Sequence, residues 1–279
     1  MSVVNPHWAS PTTLAAALMG TWRHRNLIAT LTRREVIGRY RGSLMGVAWS
    51  FFHPVIMLLV YTFVFSFVFK ARWGANTSES KTDFAIILFA GLIVHAIAAE
   101  CLMRAPSVIA SNANYVKKVV FPLEILPVVT LCSALFHGLV SLGVLLGALL
   151  FSKGAIPITT LALPVVLLPF FLMILGATWA CASLGVFMRD LGQAMGIIVT
   201  VMLFLSPIFY PTSAVPGEFR TLFQLNPLTF FIEQAREVLI WNRWPDWVGI
   251  GEVGLVGCLV AWGGFWWFQK TRKGFADVV

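Results

Sequence analysis

Six stretches of the chain are free, or nearly free, of Asp, Glu, Lys and Arg: 42–69, 84–103, 125–152, 154–188, 191–217 and 247–268. Glu100 is the one acid inside the second. Crossing the hydrocarbon of a bilayer takes about 20 apolar residues, so each stretch predicts one span. Pro157 marks a lead-in loop before the fourth, leaving 158–188. Pro207 and Pro211 end the fifth early, leaving 191–210. In hydrocarbon these spans must be helices, because a lone strand leaves its backbone groups unpaired. The predicted fold is an all-α membrane protein with six transmembrane helices in 42–268, an amino-terminal segment 1–41 and a tail 269–279.

The segments between the spans have patterns of their own. Ser10-Pro11 predicts a helix start, with Leu14, Leu18 and Met19 on one side and Gly20 as a stop. Asn26 to Tyr40 mixes apolar residues with three basic ones, Arg33, Arg34 and Arg39, as a basic helix lying in the membrane interface would. Residues 111–127 hold Lys117-Lys118 and predict a short helix before Pro122. Arg189-Asp190 forms a much tighter turn between spans four and five. Residues 211–246 are long and aromatic. Asn226-Pro227 predicts a helix start there, and Glu233 lies one turn from Arg236, where the two can pair. About 15 residues with charges are too few to span, so this piece predicts an interfacial or re-entrant element.

Composition agrees with the pattern. Of 279 residues, 58% are apolar or aromatic and 11% are charged, with a mean hydropathy of +0.84, which excludes a soluble globular domain, a disordered tail or a coiled coil. The net charge of +8 is topology signal here rather than nucleic-acid affinity. An even span count puts both termini on one side. That side holds 13 of the 20 basic residues, among them Arg33, Arg34, Arg39, Arg41, Arg104, Lys117, Lys118, Arg189 and Lys273. The positive-inside rule therefore predicts cytoplasmic termini. No cleavable signal peptide is expected, because the apolar piece at 14–19 is short and no basic residue precedes it.

Candidate chemistry is sparse. The four cysteines lie singly in apolar stretches without a CxxC, so neither a disulfide framework nor a metal site is expected. No phosphate-cradling GxxxxGK[ST] occurs, so this chain is expected to bind no ATP by such a loop. Glu100 and Arg104 stand in the favourable i,i+4 order for pairing. His53, His95 and His137 sit singly in spans one to three, where helix–helix hydrogen bonds are the plain expectation. Midplane acid pairs are missing, which argues against a secondary transporter or an embedded hydrolase. Span one is unusually aromatic, with Trp49, Phe52, Tyr61 and Phe65 among its rings and His53-Pro54 predicting a bend. The rings either face lipid or offer flat faces to sugars. Two helical stripes are possible: Trp49, Phe52, Ile56, Val60, Phe63, Phe67, or Phe51, Leu58, Tyr61 or Thr62, Phe65, Phe69. Tyr61 favours a path that includes it, since its hydroxyl needs a partner.

The segment 33–65 resembles the start of polysaccharide-exporting ABC-2 permeases through Arg33, Arg34, Arg39, Tyr40, Arg41, Ser43, Met45-Gly46, Trp49 and Pro54. Asn114-Tyr115, Phe121-Pro122, Pro127, Arg189-Asp190, Ser206 to Tyr210, Val215-Pro216, Asn226-Pro227 and Arg236 extend the likeness from about Arg25 onward. His53 departs from the polar amide usual before that proline. The resemblance implies a homodimer in the cytoplasmic (inner) membrane, bound to two copies of an ABC ATPase that holds ATP and Mg. The dimer would form a channel for a lipid-linked glycan such as O-antigen, capsule or teichoic acid. No cofactor and no nucleic acid is implied for this chain. It further implies that the interfacial helix with Arg33, Arg34, Arg39 and Arg41, and the loops with Lys117, Lys118, Arg189 and Asp190, receive the ATPase stroke. Trp49, Phe52, His53, Tyr61 and Phe65 would line the conduit. Two short helices at 216–225 and 227–241, with Tyr210, Phe219, Phe223, Asn226, Pro227, Phe230 and Arg236, would form a re-entrant outer gate. An ABC-2 exporter of a drug or small lipid fits the topology as well. A secondary transporter and a membrane enzyme of glycan synthesis lack the acids they need.

Overall fold

The computed structural model describes residues 12–69, 73, 81–116 and 121–278. Among them every regular element is helical. A hairpin of α1 (Leu14–Arg23) and α2 (Arg25–Arg39) precedes α3 (Trp49–Tyr61), which continues as a π-helix over Thr62–Val68. Then come α4 (Lys81–Arg104), the short α5 (Ala113–Val116), α6 (Ile125–Lys153), α7 (Leu163–Phe187) and α8 (Leu191–Phe204). The chain closes with α9 (Arg220–Leu225), α10 (Pro227–Leu239), α11 (Trp247–Thr271) and α12 (Phe275–Val278).

The first helix differs from expectation at both ends. Ser10 and Pro11 lie outside the described residues. Thr13 is the cap, its hydroxyl accepting from Ala16 N at 3.2 Å, and Gly20 does not stop the helix. Glycine lowers helix propensity by only about 1 kcal/mol, and the turn at His24 ends α1 instead, with His24 N donating to Gly20 O at 3.1 Å. α4 and α6 begin and end within three residues of the apolar stretches 84–103 and 125–152. Gly154 closes α6 in the left-handed region, at φ 74°, where a glycine has no Cβ penalty.

Among the described residues, five helical stretches are long and apolar enough to cross a membrane: Gly46–Val68, Asp83–Ser107, Ile125–Lys153, Ile158–Phe187 and Trp247–Val278. The fifth expected span is helical over Leu191–Phe204, 14 residues, or about 21 Å. Alternation of direction gathers one set of ends together. Arg104 pairs with Glu35 at 2.5 Å, Ser183 bonds Thr271 at 2.6 Å, and Arg272 pairs with Glu124 at 2.8 Å. The hairpin, the carboxyl ends of α4, α7 and α11, and the start of α6 therefore share what we call the inner end. Both ends of the described chain lie there. The outer end holds the starts of α4, α7 and α11, with α10 wedged among them.

The tightest packing joins α7 to α11. A Cβ built on Gly264 would lie 2.0 Å from Gly176 O, and one on Gly257 would lie 2.7 Å from Pro169 O. The two backbones touch, as they do where small residues line a membrane helix pair. Any larger residue at Gly264 must force them apart.

Candidate functional site

At the inner end Glu100 is the hub of an ion cluster. Its carboxylate pairs with Arg39 of α2, with Arg104 one turn on at 3.3 Å, and faces His137 Nδ1 of α6 at 3.6 Å. Arg104 also reaches Glu35. The expected Glu100–Arg104 pair thus exists inside a larger network that ties the hairpin to α4 and α6. Burial pushes the pKa of Arg39 down, but the hydrogen bond and charge of Glu100 outweigh it and hold it above its ordinary value. Tyr40 stands near His137, ring to ring at 6.1 Å.

Outward from this cluster runs a cavity of about 520 Å³. Arg39, Glu100 and His137 form its floor, α4 and α6 contribute Phe89, His95 and Ser141, and Leu203 comes from α8. The contribution of α3 is Trp49, Ser50, His53, Pro54, Met57 and Tyr61. These recur every three or four residues on a face about a quarter turn from each predicted stripe. Trp49, His53 and Tyr61 therefore line the cavity, while Phe52 and Phe65 do not. Phe52 belongs to the first stripe, which is exposed throughout. Phe65 belongs to the second and packs inward against Phe84 and Phe209 at 5.5 and 6.1 Å. This face lies between the two predicted stripes and shares only Trp49 and Tyr61 with them. The signal lay in the recurring polar residues of an apolar span, Ser50, His53 and Tyr61. Of the three span histidines, His95 makes the expected helix–helix bond, to Val199 O of α8 at 3.2 Å.

The residues expected at the ATPase-facing surface are spread across the inner end. Arg33, Arg34 and Arg41 are exposed, and Arg34 sits over the Tyr115 ring at 5.8 Å. Arg189 and Asp190 are exposed in the turn before α8. Lys117 and Lys118 lie outside the described residues. On either side of them Tyr115 and Phe121 stack at 4.3 Å, nearly parallel at 7°. The following turn is pinned by Trp179 Nε1 donating to Glu124 O at 2.9 Å and by Arg272 donating to Phe121 O at 3.1 Å. That anchoring had no sequence signal.

The outer end is a knot of side chains on exposed carbonyls. The last carbonyls of any helix lack intrahelical partners, and those of α8 are met by side chains here. Ser206 Oγ donates to Met202 O at 2.6 Å, and Tyr210 OH donates to Phe204 O. Asn226 caps α10 by accepting from Leu228 N at 3.0 Å, with Pro227 at the first helical position, and its amide donates to Leu205 O at 3.1 Å. Arg236, fully buried, donates to Pro207 O, to Ile208 O at 3.2 Å and to Ile87 O of α4 at 3.0 Å. Its guanidinium also lies 4.3 Å from the Trp73 ring centroid. Gly91 leaves the space, since a Cβ there would meet Arg236 Nη2 at 2.7 Å.

The pairing of Glu233 with Arg236 expected from their spacing is not formed. Glu233 accepts from Thr212 Oγ1 at 2.8 Å instead. Arg236 turns to the other side, where three carbonyls and a ring face receive its planar fork. Phe230 packs on Phe231 and against Gly249. In front of α10, Phe219 is exposed and Phe223 touches Tyr210 edge-on at 5.9 Å.

The sequence matches the membrane-domain family described as ABC-2 type transporter over residues 26–240. It is 26% identical to the O-antigen export system permease protein RfbA of Myxococcus xanthus, covering 92% of this chain and 97% of that one. It is 24% identical to the protein of the same name from Klebsiella pneumoniae, covering 91% and 95%. The match runs from the hairpin through the Glu100 cluster and the α3 face to the Arg236 knot, and on it the chain belongs to the ABC-2 type transporter family.

Proposed function

We propose that this chain is the membrane-spanning subunit of an ATP-driven exporter of a lipid-linked polysaccharide of the O-antigen class. The observation that carries the reading is the likeness, over nearly the full length of both chains, to O-antigen export permeases of two organisms. In this reading the protein lies in the inner membrane as a homodimer of six-span subunits, with both termini cytoplasmic and two ATPase subunits beneath. Two features support the six spans. The turn after α7 lies at the inner end and α11 starts at the outer one, so the intervening chain must cross once more. The apolar α8 and the six or so residues after it are the segment available for that crossing. Four elements supply the glycan path: the aromatic and polar face of α3, α4, α6 and the exposed side of α8. Ring faces there meet sugar C–H groups, and Ser50, His53 and Tyr61 meet hydroxyls. The ATPase stroke enters through α2 and the loops at 117–118 and 189–190. It acts on the Glu100 cluster, whose cations can exchange partners. At the outer end α9 is the moving part, and α10 is held by Arg236.

The test is export of surface glycan by a strain lacking this gene, complemented with the chain and its ATPase. Glycan should reach the surface only with both. Normal surface glycan in the deletion strain, with a small lipid or drug retained inside instead, would favour the other exporter class.

A further inference from the structure

A second cavity lies outside the proposed path and is unlike it. Between the hairpin and the first three turns of α6 runs an open groove of about 1180 Å³. Val128, Cys132 and Phe136 of α6 form its wall. Their i,i+4 spacing carries the wall about 12 Å along that span. Ala29 of α2 lies in the groove, and Trp22 of α1 flanks it with 72% of its surface exposed. Three arginines, Arg23, Arg25 and Arg33, stand at the rim.

The charges set this groove apart from the rest of the inner end. Arg39, Arg104 and Arg272 each have a carboxylate. No described carboxylate lies within ion-pair reach of Arg23, Arg25 or Arg33. The guanidinium of Arg25 instead lies 5.2 Å from the Trp22 ring centroid and donates to Trp22 O at 3.2 Å, which keeps it beside the groove lining. Three uncompensated cations above an apolar slot that opens sideways along a span complement one class of molecule, an amphiphile with an anionic head.

We infer that the groove between the α1–α2 hairpin and α6 is a binding site for an anionic glycerophospholipid of the surrounding bilayer. The acyl chain lies along Val128, Cys132 and Phe136, and the headgroup phosphate meets the rim arginines. The lipid thereby fills the space under the hairpin and fixes its height on the bundle. This inference does not depend on what the protein exports.

Native mass spectrometry of the purified full-length chain tests it, after equilibration with phosphatidylglycerol and phosphatidylcholine of matched chains in competition. The wild-type chain should retain phosphatidylglycerol preferentially. Each rim arginine changed to Gln should weaken that retention about fivefold, the scale of one basic residue near an anionic surface. Ala29→Trp, which fills the groove with all charges intact, should remove the retained lipid. Equal retention of the two lipids by wild type would overturn the assignment, and so would unchanged phosphatidylglycerol binding by the triple Gln variant. Displacement of phosphatidylglycerol by a polyprenyl phosphate would give the groove to the carrier lipid. Loss of lipid on self-association would give it to a second copy. Both outcomes also overturn the assignment. Should the Gln variants fail to fold, the wild-type competition still decides.

Discussion

Glu100 at the inner end and Arg236 at the outer end are both ionic groups inside an apolar bundle, and their partners differ in kind. Around Glu100 stand two guanidiniums and an imidazole, with Glu35 offering Arg104 a second carboxylate. Arg104 already bridges two carboxylates, so in the proposed reading α2 shifts by exchanging partners within the cluster. Around Arg236 stand three backbone carbonyls and one ring face. The Pro207 and Ile208 carbonyls lie outside any helix and depend on this side chain for a donor, so that arrangement has a single solution. A buried charge with interchangeable partners permits motion, and one spread over fixed carbonyls prevents it. The molecule has one of each, at opposite ends.

Substitutions should rank accordingly. The largest effect is expected for Arg236→Met, which takes their donor from the Pro207 and Ile208 carbonyls and removes a second donor from Ile87 O inside α4. Buried unsatisfied groups cost about 1–3 kcal/mol each. The protein should therefore fail to accumulate, or lose its thermal transition, in a fluorescence-detected stability assay. Arg236→Lys should rescue little, because one ammonium lacks the planar fork. A wild-type transition for Arg236→Met would remove the knot from the account.

Asn226→Ala comes next. It deletes a helix cap worth about 1 kcal/mol and a donor to Leu205 O, so about 2 kcal/mol of stability should go. Glu100→Gln should cost less, about 1 kcal/mol, since Arg104 keeps Glu35 and Arg39 is partly solvated. Its effect on ATP-driven export should nonetheless exceed that of Asn226→Ala at equal expression. A double-mutant cycle with Arg39→Gln should show coupling of at least about 0.5 kcal/mol. If export tracks stability across all these variants, the ends do not differ in role. Arg243→Gln should be nearly silent, within about 0.5 kcal/mol, because Arg243 is 72% exposed and its 3.7 Å contact with Glu237 is longer than a hydrogen bond.

Much of this comparison was hidden from the sequence. Helix positions were legible because hydrocarbon demands long apolar runs, and Asn226-Pro227 announced α10 through local capping chemistry. The partners of Arg236 were illegible, since they are backbone carbonyls 28, 29 and 149 residues away, and carbonyls have no residue type. Spacing offered Glu233 instead, and that pair does not form. The lining face of α3 was obscured by its own rings. Of the residues between the two aromatic stripes, His53 alone was legible as a conduit residue, whereas Ser50 and Met57 had no signal strong enough to stand beside the rings. Glu100–Arg104 was visible as a local pair, whereas Glu35 and Arg39 joined it only through the placement of α2.

The direct test is a pair of spin-label distances in the complex with its ATPase, measured with and without a non-hydrolysable nucleotide. One pair, Gly38 on α2 with Met103 on α4, reports the inner end. The other, Ser213 after the knot with Trp244 after α10, reports the outer one. All four positions are exposed. The account predicts that nucleotide shifts or broadens the 38–103 distance and leaves 213–244 unchanged. A fixed 38–103 distance beside a shifted 213–244 distance would contradict it.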